Sequence, residues 1–157
     1  MTEYFTIAAL IGAGLNAGVF FAYSTFTMTG LKRLAPAAGA AAMQEINREA
    51  PKAPLMSLMF GTTIVSLVLI LIEAGDLAGE VSARYQVAAG VLFIVGTIMV
   101  TGMYHVPRNN RLDRLDPESH EGQRYWGVYW DEWTRMNHVR TVAPAVAAIL
   151  LAISLVV

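Results

Sequence analysis

The sequence contains no cysteine and little charge: 15% of its 157 residues are Asp, Glu, Lys or Arg, whereas a soluble domain usually has about 25%. Without cysteine, disulfides, thiolate metal sites and cysteine nucleophiles are excluded. A net charge of -1 and 55% hydrophobic residues are also unlike a nucleic-acid-binding or disordered chain, so we expect no nucleic-acid partner. Phosphate-binding loops, dinucleotide fingerprints and nucleophile elbows are absent, which leaves the chemistry of those motifs unsupported.

Long apolar stretches dominate what is present. Runs without Asp, Glu, Lys or Arg cover 4–31, 53–72, 85–107 and 141–157, and a helix needs about 17 to 25 apolar residues to cross a hydrocarbon core. We therefore predict an all-α transmembrane four-helix bundle that forms a single integral membrane domain over 1–157. Its spans are expected at about 4–31, 53–72, 85–107 and 137–157. No basic residue precedes the first, so we expect a retained span rather than a cleaved signal.

The basic residues are unevenly distributed between the loops. Only Arg84 lies in the loop between the second and third spans, and the other ten basic residues lie in the loop after the first span or in the segment that leads from the third span into the fourth. Because basic loops stay preferentially in the cytoplasm, we predict a plasma or inner membrane protein with both termini outside and the basic loops cytoplasmic. The first of these loops, from Pro36 to Pro51, is expected to form a short interfacial helix. The second contains an aromatic-rich helical segment, Tyr125 to Trp133, before the fourth span.

Polar residues within the spans indicate which faces point inward, because polar groups in a membrane need partners inside the bundle. At about 100° per residue, Asn16 and Tyr23 share a stripe on the first span, which predicts either interhelical contact or ligand contact. A denser set falls at the inner ends of spans three and four. A polar cluster walled by tryptophan could bind a flat aromatic ligand, although an aromatic belt with arginines reaching the headgroups has the same composition. The members of this set are Asn109, Asn110, Trp130, Trp133, Asn137, His138 and Arg140.

Histidines in this region raise the alternative of a metal or haem site. His105 and His138 are the two candidates, since neutral imidazole is a common metal ligand. They form no motif with metal-ligand spacing, and only tertiary packing could bring them together. We therefore predict no metal and no cofactor, with a metal or haem at His105 and His138 as the weaker alternative.

Four segments carry a resemblance to a known family: Gly18–Phe26, Met43–Arg48, Val106–Asn110 and Trp133–Thr141. The chain resembles, over nearly its whole length, the anthrone oxygenase-like family of small four-span membrane proteins. Some fungal members oxidise polyketide anthrones to anthraquinones with molecular oxygen, whereas many bacterial members are described only as a domain of unknown function. The position of His105 is frequently Asn in this family, so the resemblance does not support a mechanism that needs histidine there.

The resemblance implies an oxygenase or oxidase that acts on an anthrone-like or other phenolic or quinonoid substrate. An anthrone has an acidic methylene, and its anion can react directly with oxygen without a cofactor. On this interpretation His138 is the general base, and Arg140 and Asn137 stabilise the developing oxyanion. The substrate-binding residues are then Asn16, Tyr23, Asn109, Asn110, Trp130 and Trp133.

Other functions fit the same pattern. The polar cluster could tie helices together in a non-catalytic accessory protein or in a lipid- or small-molecule-binding protein. A transporter is disfavoured because no pair of broken helices is evident. The expected partners are the lipid bilayer and, for an oxygenase, an apolar aromatic molecule and oxygen. The small-residue pair Gly14 and Gly18 also permits a homo-oligomer.

Overall fold

Five helices make up the chain in the structure, a computed structural model that describes residues 2–157 and, at Ala53, the backbone only. In all, 86% of the chain is helical, and the described residues contain no strand. Four of the helices are long and apolar enough to cross a membrane. The helices are α1 (Thr2–Lys32), α2 (Pro36–Glu49), α3 (Ala53–Glu73), α4 (Val81–Asp113) and α5 (His120–Ser154).

The four long helices form a ring in which α1 packs against α3 and α5, and α4 packs against the same two helices. The connection from α3 to α4 is only seven residues long, and that from α4 to α5 is six, so consecutive long helices run antiparallel. The predicted all-α four-span bundle is therefore confirmed. Both basic loops lie at one end of this bundle, which we call the inner end, and the prediction that this end is cytoplasmic stays a prediction.

The short helix α2 covers the inner end of the bundle, where it packs against α5 and the last turns of α4. It starts with Pro36 at its first position, where the missing N–H costs nothing. Gln44 fixes it to the α4 end, because its side-chain amide donates to the carbonyls of Leu112 and Leu115, both at 2.8 Å. The expected interfacial helix is thus present, and it closes the bundle from one side.

The aromatic segment and the fourth span form one uninterrupted helix, α5. It has 35 residues, which at about 1.5 Å per residue is far longer than a hydrocarbon core of about 30 Å. Pro144 lies within it without ending it. The N-terminal aromatic turns of α5 therefore stand at the inner end, packed against α2, while the C-terminal turns cross the apolar layer.

Close helix contacts in the bundle occur at glycines other than the pair singled out from the sequence. A Cβ at Gly12 would overlap Thr62 of α3, and one at Gly96 would overlap Ala143 of α5. In contrast, nothing lies within 4 Å of a Cβ built at Gly14 or Gly18. Gly14 and Gly18 therefore do not join helices within this chain, and the homo-oligomer they permit stays a prediction.

Candidate functional site

An apolar cavity of about 410 Å³ lies in the inner half of the bundle. All five helices contribute to its wall, with Phe20 and Tyr23 from α1, Asn47 from α2 and Met59 from α3 among them. Its volume is in the range of small-molecule sites, which are mostly apolar with a few polar groups that orient the ligand. A small number of polar and charged side chains interrupt this apolar wall, and they define the candidate site.

Arg140 places a buried positive charge in this wall. Arg140 is only 5% exposed. Among residues 2–157, it forms no ion pair. One terminal nitrogen donates to Asn137 Oδ1 at 2.7 Å and the other to Thr101 Oγ1 at 3.3 Å, while Nε is buried without a partner. The guanidinium also lies over the rings of Phe20 and Trp133, 4.6 and 4.9 Å from their centroids. A buried cation without a counterion among residues 2–157 is costly, and a negatively charged group in the cavity would reduce that cost.

Asn137 holds this arginine in place. Its side-chain nitrogen donates to the Phe20 carbonyl and to Ser24 Oγ, both at 2.8 Å, and its oxygen accepts from Arg140. Asn137 is fully buried and does not line the cavity. Because both of its N–H groups are occupied, it acts on a ligand through Arg140 and not by contact.

The Phe20 carbonyl that binds Asn137 lies just before the π-helical turns Tyr23–Thr27 of α1. Across the cavity, Thr101 begins a similar π-helical stretch, Thr101–His105, in α4. Such widened turns are rare and occur often at functional sites. Both partners that fix the Arg140 network to neighbouring helices therefore stand at irregular turns.

A second polar group forms where three helices meet. Asn109 Oδ1 on α4 accepts hydrogen bonds from the Tyr129 hydroxyl at 2.8 Å and from the Trp133 indole N–H at 3.0 Å, both on α5. Asn47 on α2 donates to the same Tyr129 hydroxyl at 3.3 Å. Asn47 and Asn109 line the cavity. With its oxygen doubly occupied, Asn109 has its amide N–H groups left for a ligand.

Trp133 connects the two polar groups. Its ring face contacts the Arg140 guanidinium, its N–H edge binds Asn109, and Tyr23 packs against it at 5.8 Å between centroids. The three residues Trp133, Asn137 and Arg140 share a face of α5 because they are four and three residues apart. The Arg140 cation thus lies at the face of the indole and the Asn109 amide at its N–H edge, and both residues line the cavity.

Several residues predicted to contact substrate lie elsewhere. Trp130 packs beside the cavity but donates its N–H to the Met28 carbonyl at 2.6 Å, with Lys32 over its ring. Asn110 is exposed and lines a separate polar cleft at the inner end. Asn16 is fully buried, but it donates to the Gly12 carbonyl at 2.9 Å and to Thr62 Oγ1 at 3.4 Å, which joins α1 to α3 outside the cavity wall.

The two candidate histidines occupy different environments. His105 is fully buried, with its ring edge-on to Trp133 at 4.9 Å between centroids. His138 is exposed and lies outside the cavity wall, because it follows Asn137 by one residue and so points about 100° away from it. The geometry therefore does not support His138 as a base inside the cavity. In residues 2–157 no group of three or more His, Asp or Glu side chains could hold a metal ion.

The predicted substrate-binding residues did not include three polar or aromatic members of the wall, Phe20, Asn47 and Thr101. Tyr129, which orients Asn109, was noticed only as part of the aromatic run. The spacing of Tyr129 and Trp133, four residues apart on one helix, could have identified the pair. No spacing in the sequence identifies Asn47 as a wall residue, because its contact with Tyr129 depends on how α2 packs over the end of the bundle.

Comparison with known proteins identifies the family. The model of the anthrone oxygenase family matches residues 54–150, which is more than half of the chain and includes Asn109, Trp133 and Arg140. A comparison with curated proteins and with solved structures gives no match. On the family match, the chain belongs to the anthrone oxygenase family.

Proposed function

We propose that this protein is a membrane-embedded oxygenase that oxidises a flat anthrone-like or related phenolic molecule with molecular oxygen inside the cavity. The observation that carries the proposal is Arg140, a buried cation without a carboxylate partner in the wall of an apolar cavity. The family match to anthrone oxygenases supports the reaction type.

The chemistry follows from charge stabilisation. When an anthrone loses a methylene proton, the negative charge is delocalised onto its carbonyl oxygen, and this anion reacts with oxygen at the former methylene carbon. That carbon loses two hydrogens and gains one oxygen atom, and the second oxygen atom leaves as water. A preorganised cation in the wall of an apolar cavity stabilises such an oxyanion strongly. Arg140 supplies the cation, and Asn137 and Thr101 keep it oriented.

The rest of the wall positions the ring. Trp133 and Tyr23 offer aromatic faces, and Asn109 offers an N–H donor for a phenolic or carbonyl oxygen at the far side. No His, Asp or Glu is among the described residues that line the cavity. We therefore assign the main catalytic effect to stabilisation of the substrate anion, with the proton passing to water.

His138 provides a test of that assignment. We expect His138→Ala to leave oxygen uptake within about threefold of the unmodified protein, because the ring is exposed and lies outside the cavity wall. A positioned general base would instead contribute about 10² to 10⁴. Oxygen uptake by the two purified proteins measures this, and a loss of that size would restore the general-base role of His138.

The experiment that tests the function is oxygen uptake by the detergent-solubilised protein given an anthrone, together with detection of the anthraquinone formed. We expect uptake above the spontaneous rate, with one anthraquinone formed per oxygen consumed. A parallel sample with a chelator tests the metal alternative, because chelator-sensitive uptake would assign the reaction to a metal. No uptake above the spontaneous rate would reject the oxygenase proposal for this substrate.

A second candidate function is a membrane protein that binds an apolar molecule without converting it. The lack of a His, Asp or Glu side chain among the described cavity-lining residues favours it. Binding of a hydroxyanthraquinone, measured as quenching of tryptophan fluorescence, combined with no oxygen uptake would support this function over the oxygenase.

A further inference from the structure

We infer that the cavity receives its ligand directly from the lipid bilayer, through an opening between α3 and α4. Residues that line a cavity and are also exposed on the outside of the bundle mark its mouth. Four such residues are Pro51 in the loop after α2, Phe60 on α3, and Gly102 and Val106 on α4, with Phe60 56% and Val106 43% exposed. The last three lie on the two helices that flank the proposed opening.

The helices α3 and α4 are close together only in their outer halves. A Cβ at Gly90 of α4 would meet Ile70 side-chain atoms at 2.9 Å and the Ser66 carbonyl at 3.1 Å. Toward the inner end, the contacts of α3 with α4 decline over Ile94–Met99, and among the described residues few remain with Thr101–Asp113. Meanwhile α4 stays in tight contact with α5 at Gly96 and Ala143. The two helices α3 and α4 therefore diverge toward the inner end, and the gap reaches the cavity.

The depth of the opening places it among lipid tails. At about 1.5 Å per residue, Phe60 is about 10 Å from the start of α3, and Gly102 is about 9 Å from Arg108, the first charged residue that follows it on α4. The surface around it is apolar as well: Ile64 and Met103 are 61% and 74% exposed. An apolar, exposed surface at this depth is solvated by the hydrocarbon of the membrane and not by water.

The charged clefts of the inner end are separate from this opening. They are lined by residues such as Arg111, Arg114 and Glu121, and none of their lining residues is shared with the cavity. A groove lined by α1, α2 and α3 shares residues such as Val19 and Leu55 with the cavity wall, and it is apolar except for Glu49. The opening between α3 and α4, in contrast, leads to an apolar outer surface, which favours ligands that partition into lipid.

Two glycines on neighbouring helices allow a matched test. Gly102 and Gly61 are both exposed, with nothing within 4 Å of an added Cβ, but only Gly102 lines the cavity. The protein is reconstituted in lipid vesicles, and exchange of a hydroxyanthraquinone is followed by quenching of tryptophan fluorescence. We expect Gly102→Phe to slow both binding and release at least about tenfold, with a smaller change in affinity. Gly61→Phe should exchange the probe like the unmodified protein.

A sulfonated anthraquinone, which stays in water, provides the second arm. We expect it to quench far more slowly than the membrane-soluble probe at equal total concentration. Equal rates for the two probes would show entry from water and overturn the inference, as would unchanged exchange in Gly102→Phe. A protein that binds neither probe would also contradict it. The readout is exchange and not oxidation, so a protein that exchanges the probe through this opening without consuming oxygen would reject the oxygenase and retain the route.

Discussion

Replacement of Arg140 by Met is expected to reduce anthrone-dependent oxygen uptake by about 10² to 10³, the loss seen when one preorganised oxyanion donor is removed. Arg140→Met keeps the length of the side chain and removes its charge. The anion of the substrate would then have no cation among the described residues of the cavity wall. The oxygen uptake of Arg140→Lys should lie between that of the unmodified protein and that of Arg140→Met. Lysine keeps the positive charge, but its ammonium cannot donate to Asn137, Thr101 and the ligand with the geometry of a guanidinium.

The thermal denaturation midpoint of the same variant separates function from folding. A buried charge without a counterion carries a large desolvation cost, and its removal offsets the loss of the hydrogen bond that Arg140 donates to Asn137 Oδ1. We therefore expect Arg140→Met to denature at the same or a higher temperature while it loses activity. Arg135→Met is the control, since Arg135 is exposed on the same helix and should change neither quantity. A lower midpoint for Arg140→Met would show that the arginine holds the fold.

Span number and helix content were predictable from the sequence because each helix carries its own information. A charge-free stretch of sufficient length is a local property, and so is the proline that starts α2. The burial of some polar residues was predictable as well, since a polar group within a span must face inward. Examples are Asn16, Trp133 and Arg140. All three are buried.

Which buried polar residues face the cavity was not predictable in the same way. Asn16 and Arg140 are both buried polar side chains in apolar helices, but Asn16 joins α1 to α3 whereas Arg140 lines the cavity. The difference arises because α3 and α4 diverge at the inner end and stay in contact at the outer end. That divergence is a property of packing between helices that are distant in sequence.

The exposure of His138 has a similar origin. The sequence places Asn137, His138 and Arg140 within four residues, and chemistry alone favours the histidine as the most useful group. Helical geometry allows only one side of α5 to face the cavity, and Trp133 fixes that side through its bond to Asn109. Since His138 points about 100° from Asn137, it is excluded from the wall. Choosing the inward face of α5 before the chemistry favours Arg140 over His138 as a residue of the cavity wall.

Asn109→Ala is expected to lower both the denaturation midpoint and the affinity for a hydroxyanthraquinone, whereas Asn110→Ala should change neither. The two residues are neighbours, but Asn109 accepts from Tyr129 and Trp133 while Asn110 is exposed. Without Asn109, two buried donors lose their acceptor, which costs about 1 to 3 kcal/mol each in the free energy of unfolding. Substitution of an exposed residue such as Asn110 usually changes the free energy of unfolding by no more than about 0.5 kcal/mol.

Asn109→Asp then separates the two roles of this side chain. A carboxylate still accepts from the Tyr129 hydroxyl and the Trp133 indole, so we expect the midpoint to recover most of the loss measured for Asn109→Ala. It has no N–H to offer and adds negative charge to the wall, so binding of the hydroxyanthraquinone should stay at least about tenfold weaker. Recovery of both properties would show that Asn109 only joins α4 to α5. Recovery of stability alone would indicate that the amide N–H groups of Asn109 contact the ligand. Asn109 would then bind the ligand at the N–H edge of Trp133, while Arg140 contacts the face of the same indole ring.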